Sequence, residues 1–180
     1  WALEGAKITL DDLDAISLGK GPGSYTGLRI GASSAKGFCF GFQIPLVAVN
    51  SLETMIQPFL NKEYDFIIPM IDARRMEVYC AVFDGKSGEI LAETEAKILE
   101  ETSFHQFEGK KVIFVGDGAI KAKEILQISN ADFDGTIFPS AKYLIEKAVA
   151  KFEKKEFEDV AYFEPFYLKD FQGVKKKKSQ

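Results

Sequence analysis

The sequence predicts an α/β protein built as two units, and three observations carry that prediction. Between Asp11 and Leu60, short β-rich apolar runs alternate with helical periodicity, an order that favours a parallel sheet. After the polar stretch Asn61–Tyr64 the pattern changes to extended runs, with Asp84–Gly85 starting the kind of turn that joins antiparallel strands. From Lys111 onward, strand and helix patterns alternate again.

In chain order, "WALEGAKI" reads as the last turns of a helix whose beginning is missing, so the chain is expected to be a fragment. Asp11–Asp14 is a cap-like acidic start to a short strand, Ala15–Leu18, which feeds the glycine-rich "KGPGSYTG". The pattern is helical from Tyr25 to about Phe42. Ile44–Asn50 is a buried strand, after which Ser51 is expected to cap a helix ending near Pro58. The second unit opens with three extended runs, "DFIIPMID", "MEVYCAVFD" and "LAETEAKIL". A helix from about Glu101 to Phe107, the strand "KVIFVG", the helix "AIKAKEILQIS" and an amphipathic helix from Ser140 to about Glu156 follow. This β, β, β, α, β, α, α order is similar to that of ribonuclease H-like domains, an analogy that concerns fold and not activity.

Composition narrows the function classes. The 180 residues are 46% hydrophobic and 13% aromatic, enough for a real core, and no run has the roughly 18 to 20 apolar residues that a spanning helix needs. No membrane association and a cytoplasmic setting are therefore expected. Cys39 and Cys80 sit in apolar runs, where a small buried hydrophobe is expected. A net charge of −4 argues against a free nucleic-acid-binding module. The basic tail Lys175–Lys178 reads as a solvated, disordered end or as an arm that assists RNA binding within a complex.

On a helical wheel, Gly27–Phe42 separates into three stripes. Leu28, Ala32, Ala35 and Cys39 face a core. Gly27, Gly31, Ser34, Gly37 and Gly41 line a face with little side-chain bulk, flanked by Ile30 and Phe38, and Arg29, Ser33, Lys36 and Phe40 form a third edge. Interior glycines cost a helix about 1 kcal/mol each, and close approach of another helix is the physical return. The partner is either another helix of the same domain or another subunit. The turn before the helix has two readings as well. Gly21, Gly23 and Ser24 could meet an anion at the helix N-terminus, or they form a tight turn capped by Ser24 or Thr26. The spacing matches neither the P-loop nor the dinucleotide fingerprint.

Other chemistry is sparse. Asp72, Arg74, Arg75 and Glu77, close to Tyr79, either orient an anion or satisfy one another. Gly116 and Gly118 in "FVGDGA" could approach a nucleotide, or they simply make a turn. His105 is the sole histidine, which excludes a two-histidine zinc motif and leaves a serine-type triad without a nucleophile elbow. No nucleophile, general base or metal set is nominated.

"SLGKGPGSYTGLRIGASSAKG", "PMIDARRMEVYCAVF" and "EPFYLKDF" together resemble the three ordered hallmarks of the TsaB (YeaZ) family, with Tyr25 in place of the usual Phe and Lys169 in place of the usual Arg. The resemblance covers nearly the whole chain. It implies an actin-like ATPase fold of two ribonuclease H-like subdomains: residues 1–61 as the remnant of the first, 62–172 as the second, and 173–180 as a basic tail. It also implies a non-catalytic partner of TsaD and TsaE in placing threonylcarbamoyl on adenosine beside the tRNA anticodon. On that reading tRNA is met only through the complex, and the chain forms a homodimer when TsaD is absent. TsaD binding is assigned to Gly27, Arg29, Ile30, Gly31, Ser33, Ser34, Lys36, Gly37, Phe38, Phe40 and Gly41; Asp72, Arg74, Glu77 and Tyr79 are family-motif residues. The family's opening phosphate-facing turn is missing, so no cofactor is expected on this chain alone, and an adenine nucleotide is expected, if anywhere, at the TsaD interface. The rival reading is an ATP-dependent phosphotransferase or nucleotide-binding protein of the same fold.

Overall fold

A computed structural model describes residues 2–169; Trp1 and the expected basic tail, Lys175–Lys178, lie outside the described residues. The elements are α1 (Ala2–Ala6), β1 (Ile16–Gly19), α2 (Tyr25–Phe42), β2 (Leu46–Val49), α3 (Ser51–Met55), β3 (Phe66–Asp72), β4 (Glu77–Asp84), β5 (Ile90–Ile98), β6 (Val112–Val115), α4 (Asp117–Ile125), β7 (Ala131–Asp134) and α5 (Ala141–Glu153).

β1 and β2 form a two-stranded parallel sheet, with Ile16 opposite Leu46 and Gly19 opposite Val49. Every residue of β2 is buried, because both faces of this sheet are covered. The alternation along the strand decides by what: Leu46 and Ala48 pack with Ala32, Ala35 and Cys39 of α2. Val47 and Val49 pack with Leu144 and Ala148 of α5 on the other side.

The second sheet has the order β5-β4-β3-β6-β7, antiparallel across β5, β4 and β3 and parallel across β3, β6 and β7. This is the ribonuclease H-like arrangement that the element order predicts. Ile68, Met70, Val78, Cys80 and Phe114 form one face under Ala119 and Ala122 of α4. Ile67, Ala81, Phe83, Ile113 and Val115 form the other, under Leu52 and Met55 of α3. Packing thus exchanges two helices relative to chain order. α3 lies on the second sheet and α5 on the first, and Lys147 of α5 meets Glu53 of α3 at 2.8 Å.

Two local expectations are corrected, and one strand is added to those expected. The stretch from Glu101 to Phe107 is not an α-helix but a series of turns ending in one 3-10 turn, His105–Phe107, because Phe104 takes a left-handed φ of 68° while its ring is buried in the core. Asn50, not Ser51, caps α3: its side chain accepts the Leu52 N–H at 2.8 Å. β7 carries two aspartates in four residues and gave no apolar run to recognise, yet Phe133 stacks on Phe114 with ring centroids 5.0 Å apart.

Candidate functional site

Two surfaces stand out, and both begin at the glycine-rich turn. Ser24 caps α2 by accepting the Gly27 N–H at 3.4 Å, so the capping alternative holds for Ser24. The helix behind it buries Ala32, Ala35 and Cys39 as the wheel predicts. Its opposite side is open. A Cβ added at Gly31, Gly37 or Gly41 would meet no atom within 4 Å. Ile30 is 63% exposed, Phe38 43% and Phe40 83%. Ser33 and Ser34 are exposed, and the exposed Arg29 places its guanidinium 5.6 Å from the centre of the Tyr25 ring.

Lys36 departs from its expected place on this open edge. Its Nζ donates to the carbonyls of Ala161 at 3.0 Å and Phe163 at 3.1 Å, which clasps the C-terminal segment against α2. A long lysine stem reaches across the helix surface to carbonyls that would otherwise lack a donor, and no wheel reveals that. The same segment buries Phe163 among the α2 and β2 side chains. It also pairs the Phe166 N–H with the Lys20 carbonyl at 2.7 Å and sets Tyr167 against Tyr25, with centroids 4.9 Å apart.

The second surface is a cleft of ≈ 770 Å³ between Gly23–Thr26 on one side and the β3–β4 turn on the other. It is lined by Asp72, Arg74, Arg75, Glu77, Tyr79, Asp117 and Lys169. All three sequence hallmarks therefore converge on it. Lys121 donates to Asp72 Oδ1 at 2.6 Å and to the carbonyls of Arg75 and Glu77. The Arg74 N–H also reaches Asp72, and the Asp72 N–H donates to Asp117 Oδ1 at 2.9 Å. Glu77 is ion-paired with Lys169. Partial burial works against ionised Asp72, but the Lys121 and Arg74 hydrogen bonds and the charges of both residues outweigh it and hold the carboxyl below its ordinary value. A depressed folded-state value means stability that is present above the ordinary carboxylate range and lost as pH falls through the lowered value. Acid unfolding of Asp72→Asn against the parent should therefore show a stability gap at neutral pH that closes on acidification. A gap that is constant with pH would remove Asp72 from this role.

The remaining candidate glycines have packing roles. The Gly21 N–H donates to Ser51 Oγ at 3.2 Å, the Gly21 carbonyl accepts the Ser51 N–H at 2.8 Å, and a Cβ there would run into the Phe166 carbonyl. Gly116 and Gly118 are buried against Met55, Met70 and Val78, so both have a packing role in the core. Only Gly23 and Ser24 of that set face the cleft. Burial pushes the Cys39 thiol up and the Cys80 thiol to about 12, as expected of buried hydrophobes. The His105 side chain makes no hydrogen bond among the described residues, within which no group of three His, Cys, Asp or Glu side chains could hold a metal ion. No helix among them is long and apolar enough to cross a membrane.

Comparison with known proteins gives consistent matches. The family model described as "TsaD: tRNA N6-adenosine threonylcarbamoyltransferase" matches residues 1–177. The tRNA threonylcarbamoyladenosine biosynthesis protein TsaB of Escherichia coli (strain K12) is 32% identical, over 93% of this chain and 76% of the relative. TsaB of Bacillus subtilis (strain 168) is 31% identical, over 88% and 70%. Among solved structures, a Pseudomonas aeruginosa protein described as similar to peptidase YEAZ superposes with a TM-score of 0.81 at 26% identity, covering 93% of this chain and 79% of that one. YeaZ from Pseudomonas aeruginosa superposes with a TM-score of 0.77 at 27% identity, covering 92% and 79%.

Proposed function

The chain belongs to the TsaB (YeaZ) family, with its actin-like, ribonuclease H-like fold, and from that premise we propose that it is a non-catalytic subunit of tRNA threonylcarbamoyladenosine biosynthesis that docks TsaD through α2. The observation that carries the proposal is the open face of α2. Over an 18-residue helix, about 27 Å long, glycines without neighbours alternate with exposed Ile30 and Phe38, with Phe40 beside them. A helix laid along that face would come closer than the usual ~8 to 10 Å and cover the aromatic rings. Arg29, Ser33 and Ser34 supply polar contacts at its rim, while Lys36 is committed to the C-terminal segment. The same face serves a second copy when TsaD is absent. TsaE and tRNA meet this chain through the complex, in the cytoplasm, and any adenine nucleotide is shared at the TsaD interface.

The rival reading, a phosphotransferase of the same fold, needs a free carboxylate as base. Asp72 and Glu77 are both held in ion pairs and Asp117 already accepts a backbone N–H, which disfavours it. A peptidase reading lacks a histidine placed beside a nucleophile, since His105 makes no side-chain hydrogen bond among the described residues. The test is reconstitution. The chain alone should show neither ATP turnover nor tRNA modification, should co-elute with TsaD, and should raise modification by TsaD and TsaE. ATP turnover by the isolated chain would overturn the non-catalytic assignment.

A further inference from the structure

We propose that the partner seated on α2 also grips the turn 158–163, with Tyr162 as its aromatic anchor and Lys36 as the residue that positions that anchor. This rests on the α2 docking reading and extends it to a second element. Among the large hydrophobic side chains of the described residues, Tyr162 and Phe40 are the most exposed, at 84% and 83%. Both border Lys36. Phe40 follows it by one turn of α2, and Tyr162 sits between Ala161 and Phe163, whose carbonyls accept from Lys36 Nζ at 3.0 and 3.1 Å. Single aromatics scattered over a surface need no explanation, whereas two bare rings next to one fixed lysine form a patch that a partner can cover.

The turn holds its tyrosine without covering it. The Ala161 and Tyr162 N–H groups donate to Asp159 Oδ1 at 2.8 and 3.1 Å, and the Phe163 N–H donates to the Asp159 carbonyl at 2.8 Å. On one side the Glu158 N–H reaches the Leu46 carbonyl at 2.9 Å, and on the other Phe163 is buried with Ala32, Ala35 and Cys39. The Tyr162 side chain itself has no hydrogen bond or ring contact among the described residues. Its backbone is thus ordered before any partner arrives, so burying the ring gains apolar area at little further cost in ordering. The surroundings select the kind of partner. Glu156, Glu158, Asp159 and Glu164 flank Tyr162 along the chain, and none is in an ion pair among the described residues. That field repels the phosphates of nucleic acids and anionic lipids, and it suits a protein surface with lysine or arginine around an aromatic socket.

The test measures the affinity of the full chain for purified TsaD by titration calorimetry, with Phe40→Asp reporting on α2 and Tyr162→Ala on the turn. Tyr162→Ala should weaken binding by about tenfold or more at an unchanged melting temperature, since the ring covers nothing within the chain. Lys36→Met, which frees the turn, should weaken binding by about three- to tenfold, and Lys36→Arg should restore most of it, because a guanidinium can also donate to both carbonyls. In the Tyr162→Ala background Lys36→Met should cost little more, as expected of a residue that acts through the side chain it positions. Additive losses would mean that Lys36 touches TsaD itself, and would overturn its positioning role. Loss with Phe40→Asp but not with Tyr162→Ala overturns this inference and leaves the α2 reading standing, whereas loss with neither overturns both. A Tyr162→Ala effect confined to self-association, followed by sedimentation, would assign the ring to a second copy, and one confined to tRNA binding would assign it to RNA. Either result overturns the proposal.

Discussion

Joining Gly31→Trp to Arg29→Glu should abolish capture of TsaD, weakening it by at least about a hundredfold, or about 2.7 kcal/mol, while the fold survives. The physical reason is the emptiness around Gly31. No atom lies within 4 Å of a Cβ placed there, so a large side chain strains nothing inside the chain and fills the groove a partner helix would enter. Gly31→Ala is the control for the first half of that statement. It should stabilise the chain by about 1 kcal/mol, because alanine is the better helix former and meets no neighbour. Thermal melting and co-purification with TsaD, done on the same three proteins, separate the two effects. Retained TsaD capture by the double variant, with its melting temperature unchanged, would remove α2 as the docking face. If that variant melts early, Phe40→Asp repeats the test at a side chain that is 83% exposed and held by nothing.

Gly116→Ala should cost about 3 to 5 kcal/mol, among the largest losses any single methyl could cause in this chain. The residue has φ of 107°, a conformation that side chains rarely adopt, and the new methyl would collide with Met55 and with the Met70 carbonyl. Both neighbours are fully buried, one from α3 and one from β3, so neither can move aside cheaply. Urea unfolding monitored by circular dichroism measures the loss. A change below about 1 kcal/mol would mean that the glycine is free of the core and available to a ligand, the reading that the sequence had left open.

Sequence legibility differed between the two surfaces. On α2, periodicity alone separated the buried Ala32, Ala35 and Cys39 from the open glycine line, since helix geometry maps position onto face without knowledge of the partner. Asp72, Arg74 and Glu77 were recognisable as a charged cluster, but which of them was already paired was not. Lys121 and Lys169, which neutralise two of its carboxylates, lie 49 and 92 residues away along the chain, and no local signal marked them. Lys36 was misplaced for the same reason, its carbonyl partners lying 125 and 127 residues distant.

What the sequence determined by itself is whatever depends on local repetition: the α/β class, the limits of α2 and its three faces, the β3–β4 and β4–β5 turns, and three motifs specific enough to name a family. Only the tertiary structure decided which element covers which sheet face. It sent α3 to the second sheet and α5 to the first, buried Gly116 and Gly118 in the core, and brought turns some 50 residues and more apart to one cleft. The physical reason is that apolar burial is non-directional. A pattern of hydrophobic residues states that a face must be covered, whereas shape and the long-range pairing of charges settle by what.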